Sequence, residues 1–496
     1  MRGAIAAGHP LTAEAGARVL REGGNAVDAA VGAALVSWVA ESTLTGPGAG
    51  GFMLVHRARD RSTRVLDFFV AMPGLGLRGP ALREMEEVDV DFSGGSTQMF
   101  RIGAASCAVP GAALGLEEAH GAYGTLPWAE LFAPAIELAR AGVELTRGQA
   151  YLHAILDLIL RHTPESRAVY ELDGERLVAG DTLVQKDLAR TLELLAERGA
   201  KELYSGELAR ALVDHVRASD GSITRRDLKE YRVVRRRPVG TEFRGHEYLS
   251  NPPPSAGGIL IAFGLGLLDD AGGPGSAEAI DALARVMREQ THAREENFDR
   301  ALRRGGLAKL LEERAVVVRG TTHISVVDER GNAVALTAST GAGSGIVVPG
   351  TGIHLNNMLG EFDLPKPPRA GERLSSGMSP SLVLHDGRPR LVVGSAGSLR
   401  LRGAVMQIVV NVVQHGLGVG DAIGRPRVHL EGEHLHCEGG HDPAELDKLE
   451  AMGWDVTRWR RQNLYFGGAA AVERTDEGTL AAAGDPRRGG AGVVVR

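Results

Sequence analysis

The alternation of apolar and polar positions is clearest just beyond residue 320. Thr321 to Val327 is rich in β-branched residues, Asp328 to Asn332 is a polar turn containing Gly331, and Ala333 to Thr337 runs back. This pattern predicts a strand–turn–strand. A charged, helix-like segment, Arg303 to Arg314, and a short β-branched run, Ala315 to Val318, precede it. Gly320 stands directly before the Thr321-Thr322 pair, where it can adopt backbone angles closed to other residues. A peptide bond held strained there could be attacked by the next hydroxyl.

The first part of the chain is mostly helical in period. Thr12 to Glu22 reads as a helix with Thr12 as N-cap and Gly23 just past its end. Asn25 is placed to cap a second, Ala-rich helix with Asp28 in its first turn. That helix is apolar nearly all round, which predicts deep burial. Gly46-Pro47-Gly48-Ala49-Gly50-Gly51 matches G-x-G-x-x-G, but it follows a helix and opens the strand-like Phe52 to Val55. A dinucleotide site needs the reverse order, so these glycines read as close backbone packing. Arg64 to Val70 is a further strand. Pro110 to His120, Trp128 to Arg140, Thr182 to Arg198 and Gly206 to Arg217 read as helices, the last capped by Ser205. Ser276 to Arg300 is a long helical pattern with Ile280, Leu283, Ala284 and Met287 on one stripe. After Thr321 the texture is mostly strand, with one helical stretch at Leu401 to His415. Helices with alternating strands and no internal repeat predict a layered α+β protein.

Composition narrows the function classes. The formal net charge of −6 argues against a dedicated nucleic-acid binder. The basic clusters Arg225-Arg226 and Arg235-Arg236-Arg237 are local, and the second reads as a solvated strand face. Two cysteines, Cys107 and Cys437, exclude a disulfide scaffold. One bridge between them is compatible with the sequence but not decided by it. The longest uncharged apolar stretches, such as Ala29 to Ala40, are too short to span a bilayer. The start of the chain lacks a basic-then-apolar leader. His429, His434, His436, Cys437 and His441 cluster, yet their spacing fits no standard metal site and they read as partly exposed strand histidines.

Thr321-Thr322-His323-x-Ser325-Val326-Val327-Asp328, followed by Gly331-Asn332-Ala333-Val334, resembles the start of the small subunit of gamma-glutamyltransferases, which are N-terminal-nucleophile hydrolases. Four further blocks resemble family signatures in the same order: Glu22 to Ala30, Gly50 to Leu54, Pro252 to Gly258, and Gly352 to Asn357. The similarity covers nearly the whole chain. It implies a four-layer αββα sandwich, two stacked antiparallel sheets between helices. It also implies autocleavage between Gly320 and Thr321, into a large segment 1–320 and a small segment 321–496 that together form one structural domain.

The implied chemistry is nucleophilic catalysis by a chain-terminal threonine. A hydroxyl is a weak nucleophile and needs an adjacent base. An α-amine has a reference pKa near 7.7–8.0, so a useful fraction is neutral around pH 7. Thr322 points to the opposite strand face and is the weaker candidate. By resemblance, Ser339 is the hydroxyl that hydrogen-bonds the nucleophile, with Ser in place of the family Thr. Gly394-Ser395-Ala396-Gly397-Ser398 resembles the family's Gly-Ser-Pro-Gly-Gly loop, with the N–H groups of Gly397 and Ser398 forming the oxyanion hole.

The substrate clamp departs from the family. Its Arg in Asp-Phe-Arg-Glu-Met-Ala-Pro is matched here by Phe69 in Asp67-Phe68-Phe69-Val70-Ala71-Met72-Pro73, and loss of a bidentate Arg is not conservative. Ser375 and Ser376 match serines that hold the glutamyl carboxylate, with Gly377 inserted before Met378. The ammonium partners, an Asn, a Gln or Glu, and an Asp, are matched by Thr340, Met358 and Glu361. The expected activity is therefore cleavage of γ-glutamyl amides through an acyl-enzyme, with transfer to water or an amino acceptor. Two alternatives stay open: an acylase-like relative with another acyl group, and a catalytically silent homologue. The expected partners are a small γ-glutamyl substrate and the two fragments of one precursor, with no nucleic acid, membrane, metal or cofactor. The expected location is cytoplasmic, or periplasmic or secreted where a leader was omitted.

Overall fold

The computed structural model describes residues 2–91, 97–270, 272–295, 321–360, 368–397 and 400–496. Gly320, Glu361, Ser398 and the segments 303–314 and 315–318 singled out above lie outside the described residues.

Two antiparallel sheets stack on each other. The first has seven strands in the order Val234–Arg236, Ser62–Phe68, Gly50–Arg57, Ala333–Ser339, Thr322–Asp328, Gly3–Ala7 and Ala491–Val495. The second has six, in the order Val239–Phe243, His246–Ser250, Ser381–His385, Arg388–Ala396, Gly468–Arg474 and Leu480–Gly484. Both sheets mix strands from before and after residue 320.

Side-chain alternation along these strands builds three apolar layers. Ile324, Val326, Val334 and Leu336 face the helices Pro10–Arg21 and Ala26–Ala40. Phe52, Leu54, Val327 and Ala335 point the other way and meet Leu382, Val392, Ala470 and Val472 of the second sheet. The outer face of the second sheet, with Val383, Leu391, Val393 and Ala471, packs under the helices Gly257–Leu267, Ala277–Glu295 and Arg400–Val413. Helix, sheet, sheet and helix give the four-layer αββα sandwich.

The hairpin is as the pattern predicts. Its turn is tied by Asp328, whose carboxylate accepts the N–H groups of Arg330 and Asn332 at 2.9 Å each, and Gly331 takes φ +81 there. All fifteen residues of Ala26–Ala40 are buried, and Asn25 and Asp28 form a reciprocal capping box. The glycines before Phe52 do serve close packing: a Cβ on Gly50 would sit 2.6 Å from the Val70 nitrogen.

Several helix starts differ. The first helix begins at Pro10 with His9 as cap, because Pro suits the first turn; the Thr12 hydroxyl instead donates to Glu41 at 2.8 Å. The Gly206-to-Arg217 candidate begins at Glu207 after Gly206, and Ser205 closes the preceding short helix. Trp128 to Arg140 divides into a 3-10 turn and Ala133–Ala141, with Pro134 in the new first turn. Thr182-Leu183 is a short strand, and its helix starts at Lys186. Pro443–Ala451 was missed, although Asp442-Pro443 is a cap-and-first-turn pair. Cys107 and Cys437 are both free and buried, and burial pushes each thiol up to about 12. Among the described residues no helix is long and apolar enough to cross a membrane.

Candidate active site

Thr321 stands one residue before a central strand of the first sheet. Thr322 pairs with Ala338 across the hairpin, so the register sets Thr321 opposite Ser339. Thr321 is fully buried, and its Oγ1 has no hydrogen-bond partner among the described residues. An orphaned buried hydroxyl costs about 1–3 kcal/mol. The residue lies on the wall of a cavity of about 830 Å³.

Both segments of the chain wall this cavity. Leu44, Tyr151, Leu152 and Ile155 come from the first; Gly397, Arg400, Trp459 and Tyr465 come from the second. Trp459 and Tyr465 stack at 4.7 Å between ring centroids. The Arg400 guanidinium lies over the Tyr465 ring at 4.1 Å. Tyr465 also donates to Glu431 at 2.8 Å, and burial pushes its phenol up. Arg458 is held by Asp447 at 2.6 Å and Glu450 at 2.9 Å, whereas Arg400 makes no ion pair among the described residues.

The second sheet brings Gly397 to Thr321. Arg388–Ala396 ends there, with Ala396 paired to Gly468. Gly397 takes φ +129, a conformation that favours glycine, and a Cβ there would sit 2.8 Å from the Gly467 Cα. Two residues beyond Thr321, His323 bridges the Thr337 hydroxyl at 2.7 Å and the Ser325 hydroxyl at 2.9 Å. Burial pushes its imidazole down to about 3, so it is neutral and satisfied, a spacer rather than a base.

The other sequence candidates are more dispersed. Ser339 is buried, and its Oγ accepts the Gly341 N–H at 2.8 Å. Thr340 donates its N–H to the Leu44 carbonyl at 2.9 Å, and its buried Oγ1 has no partner. Ser375 Oγ donates to the Pro254 carbonyl at 2.7 Å, and Ser376 Oγ accepts the Met378 N–H at 3.0 Å. Neither of these two serines is on the cavity wall. Phe69 is fully buried between the sheets, stacked on Phe52 with ring centroids 5.4 Å apart. Arg373 lies beside it, spent on the Phe69 carbonyl at 2.8 Å and the Asp67 carboxylate at 3.2 Å. Of the clustered histidines, His434 pairs with Asp455 at 2.6 Å, and His436 lines the cavity. No group of three or more His, Cys, Asp or Glu among the described residues is arranged to hold a metal.

The sequence reading missed Glu41 and Arg488. The Arg488 guanidinium donates to the Thr321 carbonyl at 2.9 Å and to Glu41 at 2.9 Å. It also missed the Trp459-to-Phe466 wall, for which the signal was three aromatics, Trp459, Tyr465 and Phe466, within eight residues of a chain only 4% aromatic.

The family model described as Gamma-glutamyltranspeptidase matches residues 12–316 and 307–495. The chain belongs to the gamma-glutamyltranspeptidase family. It is 34% identical over 535 residues to the acylase ACY 1 proenzyme of Pseudomonas sp. (strain SE83), covering 100% of this chain and 94% of that protein. It is 32% identical over 536 residues to the glutathione hydrolase proenzyme of Escherichia coli (strain K12), covering 98% and 90%. Among solved structures, the cephalosporin acylase from Bacillus halodurans superposes with TM-score 0.84 over 99% of this chain and 95% of that one, at 24% identity, a likeness of fold. The gamma-glutamyltranspeptidase of Helicobacter pylori matches with TM-score 0.51 and 30% identity over 58% of this chain and 82% of that one.

In this gamma-glutamyltranspeptidase-family chain, then, a buried unpartnered hydroxyl and a glycine loop from the facing sheet share one cavity. Aromatic faces and an unpaired guanidinium line the rest. Such a site can bring an amide carbonyl against a nucleophilic oxygen and hold a carboxylate-bearing group beside it.

Proposed function

We propose that the protein is a self-processing amidohydrolase and acyltransferase that uses Thr321 as its nucleophile and acts on γ-glutamyl amides of the glutathione type. The observation that carries this reading is Thr321 on the wall of the cavity it shares with Gly397, with a buried hydroxyl that has no partner among the described residues.

In the precursor, Thr321 Oγ attacks the carbonyl carbon of Gly320. The peptide nitrogen takes up the proton that Oγ gives up and leaves as the Thr321 amine, and an ester between Gly320 and Oγ remains. Water hydrolyses that ester to a Gly320 carboxylate and a free Thr321 hydroxyl. The fragments 1–320 and 321–496 stay one body because both sheets contain hydrogen-bonded strands from each. In turnover the Thr321 amine takes the hydroxyl proton as Oγ attacks the substrate carbonyl. The N–H groups of Gly397 and Ser398 meet the oxyanion, a contribution of about 2.7–4 kcal/mol for one such donor. The leaving amine takes the proton, and water or an amino group then receives the acyl group. Ser339, opposite in the register, orients the nucleophile.

The glutathione hydrolase relatives support a γ-glutamyl substrate. With Phe69 in the core, Arg400, on the cavity wall beside Gly397, is the cation we assign to its carboxylate. Ser375, Ser376, Thr340 and Glu361 are assigned to the glutamyl group by resemblance alone, since neither serine is on the wall of the cavity that holds Thr321. The burial of Phe69 also favours a second reading, in which the cavity takes a bulkier acyl group.

Intact mass and denaturing gels of wild type and Thr321→Ala test the first claim. Two fragments from wild type and one chain from the variant are expected; an uncut wild type refutes it. Assay with a chromogenic γ-glutamyl anilide tests the second. A processed enzyme silent on it but active on another amide refutes the glutamyl assignment.

A further inference from the structure

Glu41 ends the buried helix Ala26–Ala40 as its C-cap and is 4% exposed. Its carboxylate accepts three hydrogen bonds: from Thr12 Oγ1 at 2.8 Å, from Thr322 Oγ1 at 2.7 Å and from Arg488 Nη2 at 2.9 Å. Arg488 spends its other terminal nitrogen on the Thr321 carbonyl. The turn that presents Arg488 is itself fixed. Asp485 caps it through the Arg487 N–H at 3.0 Å, and Asp485 is held by Arg427 at 2.6 Å. Gly8 lets the pair close up, since a Cβ there would stand 2.7 Å from Glu41 Oε2 and 2.9 Å from the Arg488 guanidinium carbon.

A buried ion pair is a weak stability device, because desolvation of both charges offsets their attraction. Its position here suggests another use. We infer that Arg488 and Glu41 are positioning residues that fix the backbone of Thr321 and set the basicity of its amine. This rests on the reading of Thr321 as a chain-terminal nucleophile. A guanidinium touching the carbonyl of a residue lies close to the amine of that same residue. It disfavours the ammonium form, while the carboxylate behind it favours that form; together they nearly cancel. The other titratable groups packed here are His9 and His323. Burial lowers both, with Arg488 lowering and Glu41 raising in the case of His9, so neither adds charge near neutral pH. The amine is thus left near its ordinary range, able to take the Oγ proton around pH 7.

Removing either charge alone should move the amine in opposite directions, which a merely structural role does not do. The acid limb of the kcat/KM–pH profile reports the free enzyme's base. For mature Arg488→Gln, Glu41 is uncompensated and the limb should move up by about one pH unit. For mature Glu41→Gln, which keeps the acceptor, it should move down by about as much. Arg488→Lys should stay near wild type. Limbs that stay put in both charge-removing variants, or move the same way, overturn the inference. Should Arg488→Gln fail to mature, Glu41→Gln decides by its sign alone. Wild type left uncut before Thr321 would refute the proposed function instead, so the two failures are told apart.

Discussion

The His323 imidazole fills the space in which a side chain on Gly394 would stand, since a Cβ there would collide with the ring. Two strands of different sheets, Thr322–Asp328 and Arg388–Ala396, therefore approach closely just where one carries Thr321 and the other Gly397. Gly394→Ala should cost about 1–3 kcal/mol of stability by overpacking and should lower kcat more than it changes KM, because Gly397 is pushed from Thr321. Denaturant midpoints with steady-state kinetics on the same preparations check this. Unchanged kcat in a destabilised protein would break the link between the contact and the chemistry.

Phe69 makes a second case. Restoring the family arginine by Phe69→Arg would put a guanidinium between the sheets, where Phe52 now stacks and Arg373 already uses the Asp67 carboxylate. A buried charge without its own partner costs on the order of 3–5 kcal/mol. Phe69→Arg should accordingly lose stability or solubility and gain no γ-glutamyl turnover. Thermal melting and an anilide assay decide; a stable variant with a large gain would mean that the arginine site is open after all.

Much of this was legible from residues close in the chain. The Thr321–Val327 run, its Asp328-to-Asn332 turn and the Asn25/Asp28 capping box are local patterns with local causes, and the structure repeats them. The helix starts that moved did so because Pro outranked a nearby Thr at Pro10 and because Pro134 reset a first turn. The Glu41–Arg488 pair was out of reach for another reason: its partners are 447 residues apart, and nothing in either neighbourhood marks them as a pair. The second glutamyl contact set remains dispersed, with Ser375 and Ser376 turned toward the Pro252-to-Ser255 turn. Substitution of Phe for Arg at one position was visible in the sequence, but whether the ring faced the cavity or the core depended on strand register.

Arg400 offers the sharpest test of the substrate's charge. It follows Gly397 closely in the chain, lines the cavity with Thr321, and has a buried Nε without a hydrogen-bond partner. A charge-assisted hydrogen bond contributes about 1.5–3 kcal/mol, or roughly 10- to 100-fold in binding. Arg400→Gln should raise KM by that factor for a γ-glutamyl anilide and much less for an uncharged acyl anilide. Equal losses on both substrates would remove Arg400 from carboxylate recognition.

Stability toward acid follows from the buried histidines. Burial lowers His323 to about 3, and His153 and His354 to about 4 each. An unfolded histidine titrates near 6.5. The fold therefore holds these rings neutral, and the stability tied to that state is whole above pH 6.5. It drains as pH falls from there toward 4, by up to about 1.4 kcal/mol per pH unit for each ring. Urea midpoints for wild type should fall across that window. His323→Gln, which keeps a neutral polar group between Thr337 and Ser325, should be less stable than wild type at pH 7.5 by about 1 kcal/mol, should match it near pH 6 and should be the more stable of the two below about pH 5. Parallel curves for the two proteins from pH 7.5 to 4 would show that His323 is not among the groups whose protonation unfolds the chain.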